Sequence, residues 1–91
     1  MSISINKISD DHFDVTVADR IITTHEVTVT DESLTDLTDN KVTKTQLLNF
    51  SFRFLLEKEP NTSILSSFDI NVISTYFSNY RDAVRRWCDE S

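Results

Sequence analysis

Thr43-Lys44-Thr45-Gln46-Leu47-Leu48-Asn49-Phe50-Ser51-Phe52-Arg53-Phe54-Leu55-Leu56-Glu57-Lys58-Glu59-Pro60 opens on a capping box and closes on a proline. The Thr43 hydroxyl can accept from the Gln46 amide while the Gln46 side chain reaches back to the backbone of Thr43. Val42 and Leu47 occupy the two positions of a hydrophobic staple. Pro60 cannot continue a helix and biases the residue before it toward extended backbone, so the helix ends near Lys58 or Glu59. Between these limits Leu47, Leu48, Phe50, Phe52, Phe54, Leu55 and Leu56 occupy far more than the stripe of about 100° that a surface helix needs. Such a helix must be covered on most sides. Two arrangements satisfy it: a central helix wrapped by the rest of the chain, or a helix with one side against a second chain.

Upstream, the first thirty residues alternate in polarity. Ile3 and Ile5 share one face, Phe13, Val15 and Val17 another, and Ile21, Thr23, His25, Val27 and Val29 a third. Period-two alternation with β-branched enrichment predicts half-buried strands, here an antiparallel meander over about 2–8, 12–18 and 21–30. Ser9-Asp10-Asp11 and Ala18-Asp19-Arg20 are the breaks, with Asp taking turn conformations in place of glycine. Thr30-Asp31-Glu32-Ser33 supplies a cap and early acids for a short helix carrying Leu34 and Leu37, and Asp39-Asn40-Lys41 forms a turn.

Downstream of Pro60, Asn61 or Thr62 caps a short turn carrying Ile64, Leu65 and Phe68. Asp69 is read as the cap of a helix on which Val72, Ile73, Tyr76 and Phe77 recur. Tyr80, Val84 and Trp87 continue the spacing through a last helix over about 79–89. The expected fold class is α+β: a three-stranded antiparallel meander (1–30), then three to four helices (31–91), in one domain spanning 1–91. Ninety-one residues suit one core, and hydrophobic and charged fractions of 38% and 26% are those of a folded chain.

Composition excludes several function classes. The chain contains no glycine. Phosphate-cradling loops, dinucleotide-binding turns and nucleophile elbows all need it, for positive φ or for close approach of backbone to ligand. Cys88 is the single cysteine, which excludes an internal disulfide framework or a multi-cysteine zinc site. Apolar runs are too short for a membrane span, and Met1-Ser2-Ile3-Ser4-Ile5-Asn6-Lys7 lacks the pattern of a secretory signal. A cytoplasmic protein without membrane attachment is expected. Residues 1–40 hold nine acids and two bases, and residues 41–91 six acids and seven bases. The acidic half repels phosphate backbones.

Candidate sites are few. His25 shares its strand face with Val27 and Val29, which makes it either a core histidine with a hydrogen-bond partner or a functional base, ligand or switch. His12 alternates with Phe13 and faces away, so the two imidazoles are not expected to share a metal. Cys88 sits near a helix C-terminus, where the dipole opposes a thiolate. The pairs Asp10-Asp11, Asp31-Glu32 and Glu57/Glu59 match no metal loop. Arg81, Arg85 and Arg86 make the last helix basic, which would suit a DNA-reading helix, but Asp82 is placed to pair with Arg85 and Arg86. No cofactor and no catalytic residue is expected.

The stretch Ser51–Leu65, then Phe68-Asp69-Ile70, Val72-Ile73 and Tyr76-Phe77, with Thr24-His25-Glu26-Val27-Thr28-Val29 upstream, resembles a family of small uncharacterised bacterial proteins over residues 12–80. The resemblance implies a bacterial cytoplasmic protein and adds interest to His25. The family has no assigned activity, so it supplies no site residues. The expected function is that of a non-enzymatic binding or regulatory domain, with a protein partner or a second copy of itself. Phe50, Phe52, Phe54, Tyr76, Phe77 and Trp87 form the candidate surface, because they supply more aromatic area than three short strands can cover. The alternative is a DNA-binding regulator using Arg81, Arg85 and Arg86.

Overall fold

The computed structural model describes residues 1–90. Three strands, β1 (Ser2–Lys7), β2 (His12–Ala18) and β3 (Ile22–Thr28), form the antiparallel meander that the alternation implies. Register explains the pattern. Ile3 pairs with Val17, Ile5 with Val15, Phe13 with Val27, and Val15 with His25, so one face of the sheet is almost wholly apolar. The opposite face carries Ser4, Thr16 and Thr24 across three strands, with Asn6, Asp14 and Glu26 beside them. A one-residue slip would turn Phe13, Val15 and Val17 out to water, so burial of one face locks the register.

From β3 the chain passes through α1 (Asp31–Thr38) and α2 (Lys44–Lys58) before a 3-10 turn at Asn61–Ser63. It then forms a strand that sequence periodicity does not reveal. β4 (Ser67–Asp69) adds to the sheet parallel to β3, with Val27 opposite Phe68, and gives the order β1-β2-β3-β4. A parallel neighbour requires a long crossover, and here the crossover holds α1 and α2, of which α2 packs on the sheet. Asp69 is therefore the end of a strand rather than a helix cap. Its carboxylate accepts from the Asn71 amide, and α3 starts later and is shorter than expected (Val72–Tyr76), before α4 (Tyr80–Glu90).

The capping box on α2 forms as the residues dictate. Gln46 N–H donates to Thr43 Oγ1 at 3.1 Å, and Thr43 N–H donates to the Gln46 side chain at 2.9 Å. Turns are made without glycine. Among the described residues only Asp39 (φ 53°) and Asn40 (φ 60°) enter the left-handed region, immediately after α1. The Asp39 N–H bonds back to Thr35 and closes that helix.

α2 is the central helix. Leu47, Leu48, Ser51, Phe52, Phe54 and Leu55 are all buried on it. Phe13, Val15, Val17 and Val27 rise from the sheet into the same core, while Ile73, Tyr80 and Val84 close it from α3 and α4. Full burial of one such aliphatic or phenyl side chain contributes about 1.5–3 kcal/mol. Among the described residues, no helix is long and apolar enough to cross a membrane.

Candidate functional site

His25 lies on the buried face of β3, 2% exposed, with its ring against Phe52 at a centroid distance of 5.4 Å. Its Nδ1 is 2.7 Å from the carbonyl oxygen of Leu65. A carbonyl can only accept, so Nδ1 carries the proton and donates. In the neutral ring Nε2 then accepts, and Thr23 Oγ1 is its donor at 2.8 Å. Thr23 Oγ1 in turn accepts from Asn61 Nδ2 at 3.1 Å, and the same amide donates to the Ile21 carbonyl at 2.7 Å. Both ring nitrogens are thus engaged within the protein, and neither is left for a substrate or a metal. His25 acts as a peg that joins the sheet to the segment entering β4. His12 lies on the other face, exposed, and bonds Ser9 Oγ at 3.0 Å.

Beside that peg, the end of α2, the segment after the 3-10 turn, β4 and α3 enclose an open groove of about 320 Å³. Leu55 and Ile64 form its floor with Ile73, and Leu65, Phe68, Tyr76 and Phe77 form its walls. Two of these side chains remain open to solvent, Leu65 at 48% and Tyr76 at 68%. Glu59 is the one charged residue of the lining, and among the described residues no cation forms an ion pair with it. The groove offers an apolar wall, a carboxylate and the Ser63 hydroxyl.

The aromatic surface expected from the sequence is only partly a surface. Phe52 is fully buried and Phe54 nearly so, which removes both from it. Two positions on a helix lie about 200° apart, so these rings face opposite sides of α2. The sheet side covers Phe52. Phe77 and Tyr80 cover Phe54 edge-on at 5.9 and 5.4 Å. Phe50 and Trp87 stack on one another at 4.5 Å and are each half-buried. Of the six, Tyr76 alone is strongly exposed, with half-buried Phe77 beside it on the groove.

Acids of a neighbouring helix lie beside two of the three arginines of α4. Arg81 bonds Asp36 at 2.9 Å, and Arg85 lies 3.9 Å from Asp39. The pairs expected with Asp82 do not form, because α4 packs along α1 and its arginines reach that helix's acids instead. Arg86 is exposed. Cys88 is buried, and burial pushes its thiol up from the ordinary value, which disfavours the thiolate.

One constellation gave no sequence signal. The Lys44 ammonium touches Asp31 at 2.8 Å, Asp11 at 3.1 Å and the Asp10 carbonyl at 2.8 Å. It ties the β1–β2 turn, α1 and the start of α2 together. Burial pulls its pKa down, but bonds to Asp31 and Asp11 outweigh that and leave it raised. The same lysine holds the Asp31 carboxyl below its usual range. Among the described residues, no group of three or more His, Cys, Asp or Glu converges as a metal site. Compared with protein-family models, curated proteins and solved structures, the chain matches none.

Proposed function

We propose that this chain is a non-enzymatic binding domain that recognises a protein partner in the cytoplasm through the groove between α2, β4 and α3. The reading rests on one observation: Leu65 and Tyr76 stay exposed together on an apolar groove, whereas the other exposed large apolar side chains, Met1, Ile8, Ile21 and Ile22, lie outside it beside the first strand and the strand turns. Concave apolar sites with a few polar groups are where ligands bind. Exposed aromatic anchors such as tyrosine in such a site are frequent centres of protein recognition. The charge of −6 on each copy opposes self-association and favours a partner of different charge. Arg81 is held by Asp36, Arg85 lies near Asp39 and Arg86 is exposed, so α4 mixes its bases with acids and supports a nucleic-acid role less than the groove supports a protein partner.

A photo-reactive amino acid placed at Tyr76 in cells of the native host tests the reading. A discrete cross-linked protein that disappears in a Leu65→Glu background is expected. Adducts that form equally well from Thr16, on the opposite sheet face, would overturn it, as would no adduct at all.

A further inference from the structure

The ladder between β3 and β4 determines what the groove can hold. Glu26 N–H donates to the Ser66 carbonyl at 2.8 Å, and Ile70 N–H donates to the Thr28 carbonyl at 2.9 Å. In a parallel ladder these bonds alternate, so Phe68 directs its backbone groups at β3 while Ser67 and Asp69 direct theirs the other way. β4 has no neighbour on that side within the sheet. Its free edge borders the groove, because Phe68 points into the helical layer and lines it. The edge of β1 differs: α2 packs against that strand, and none of its residues lines this groove.

We infer that the groove takes an extended basic and apolar peptide segment, which adds to the free edge of β4 as a fifth strand. This deepens the binding reading and rests on it. A strand set about 4.8 Å beyond β4 would turn alternate side chains toward the groove and the outer sheet face. The inward residues meet Leu65, Phe68 and Tyr76, which calls for apolar side chains. The outward ones lie next to Ser67 and Asp69, with Glu26 one strand further in. Among the described residues Glu26, Glu59 and Asp69 form no ion pair, whereas Asp11, Asp31, Asp36 and Asp39 at the α1 side all do. Lys58 lies over the Phe54 ring at 4.9 Å and pairs with none of these carboxylates, so the groove's surroundings are negative on balance, and a lysine- or arginine-bearing segment complements them.

Selection of phage-displayed random heptapeptides on the full chain, followed by amide exchange with an enriched peptide, tests this. Enriched sequences are expected to alternate basic with apolar residues. Exchange at the Ser67 and Asp69 amides should slow at least about tenfold on binding, as strand pairing requires. N-methylation of alternate peptide amides should abolish binding. Glu59→Gln and Asp69→Asn, which keeps the oxygen that accepts from Asn71, should each weaken it about threefold to tenfold. Groove resonances that shift while Ser67 and Asp69 exchange unchanged would overturn strand addition and leave the binding groove standing. Acidic or helical selected peptides, or no enrichment, would also overturn it. So would protection of both amides in a self-associated protein without peptide, which would make a second copy the occupant.

Discussion

His25 Nδ1 and the Leu65 carbonyl oxygen lie 2.7 Å apart across forty positions of sequence, and this bond places the groove on the sheet. It fixes the backbone just before β4, so that the Leu65 side chain stands at the groove while its carbonyl is held from behind. His25→Leu keeps most of the apolar volume and removes both ring hydrogen bonds. The expected loss is about 1–3 kcal/mol in urea unfolding, the cost of leaving partners unsatisfied. Amide exchange should accelerate first at Glu26 and Ile70, whose bonds to Ser66 and Thr28 join β3 to the residues flanking β4. Uniform acceleration across all strands would show that the bond supports the whole fold and not this edge.

Ser51 and Tyr80 offer a directional test. Ser51 donates to the Leu47 carbonyl at 2.7 Å, so its single proton is spent and Tyr80 must donate to Ser51 Oγ at 2.6 Å. Tyr80→Phe removes a donor and leaves only a spare lone pair behind, at about 0.5–1.5 kcal/mol. Ser51→Ala strands a phenol in the core and should cost about 1–3 kcal/mol. Equal losses from the two variants would contradict the assigned direction.

Alkaline pH should destabilise the fold. Burial raises the Tyr80 phenol and the Cys88 thiol, and Lys44 is raised by Asp31 and Asp11 despite its burial. In each case the folded chain holds the protonated form more tightly than the unfolded chain does. The stability they contribute is complete below the unfolded pKa and is lost as pH rises past it. Unfolded values near about 8.5 for Cys, 10 for Tyr and 10.4 for Lys put the decline above roughly pH 8.5. Urea midpoints should be level from about pH 6 to 8 and fall beyond, less steeply in Tyr80→Phe. A level profile to pH 11 would refute the assignment.

Asp39 closes α1 at φ 53°, a region that costs a residue with a side chain about 1 kcal/mol. Its pairing with Arg85, at 3.9 Å between exposed groups, contributes little. Asp39→Gly should raise stability by about 0.5–1 kcal/mol by thermal unfolding. A fall in melting temperature would mean that the carboxylate matters more than the backbone.

Much of this architecture is legible in the residues themselves. β1, β2 and β3 alternate with period two, and α2 announces both ends, by Thr43 with Gln46 and by Pro60. His25 was readable as facing the core from its spacing to Val27 and Val29. β4 was not readable: Ser67-Phe68-Asp69 is too short to show a period, and its partner Glu26-Val27-Thr28 lies some forty residues earlier. That missing strand also displaced the start of α3. The candidate surface suffered from a related gap. Counting aromatics gives their area but not their cover, and Phe52 and Phe54 are each covered by a different layer. What stays open, Leu65 and Tyr76, depends on how tightly α3 and α4 close over α2, which is a property of tertiary packing. The Lys44 clamp was unreadable for the same reason, since it joins three elements far apart in sequence.

The most direct measurement compares the double variant Leu65→Ser, Tyr76→Ser with the parent chain, for thermal stability and for cross-linking from a photo-reactive group at Ser63. If these side chains are kept for a partner, the melting temperature should stay within about 2 °C while the cross-linked adduct is lost, because exposed residues contribute little to folding. A drop of many degrees would make them part of the fold's own packing. An adduct that persists at full yield would place the partner elsewhere on the molecule.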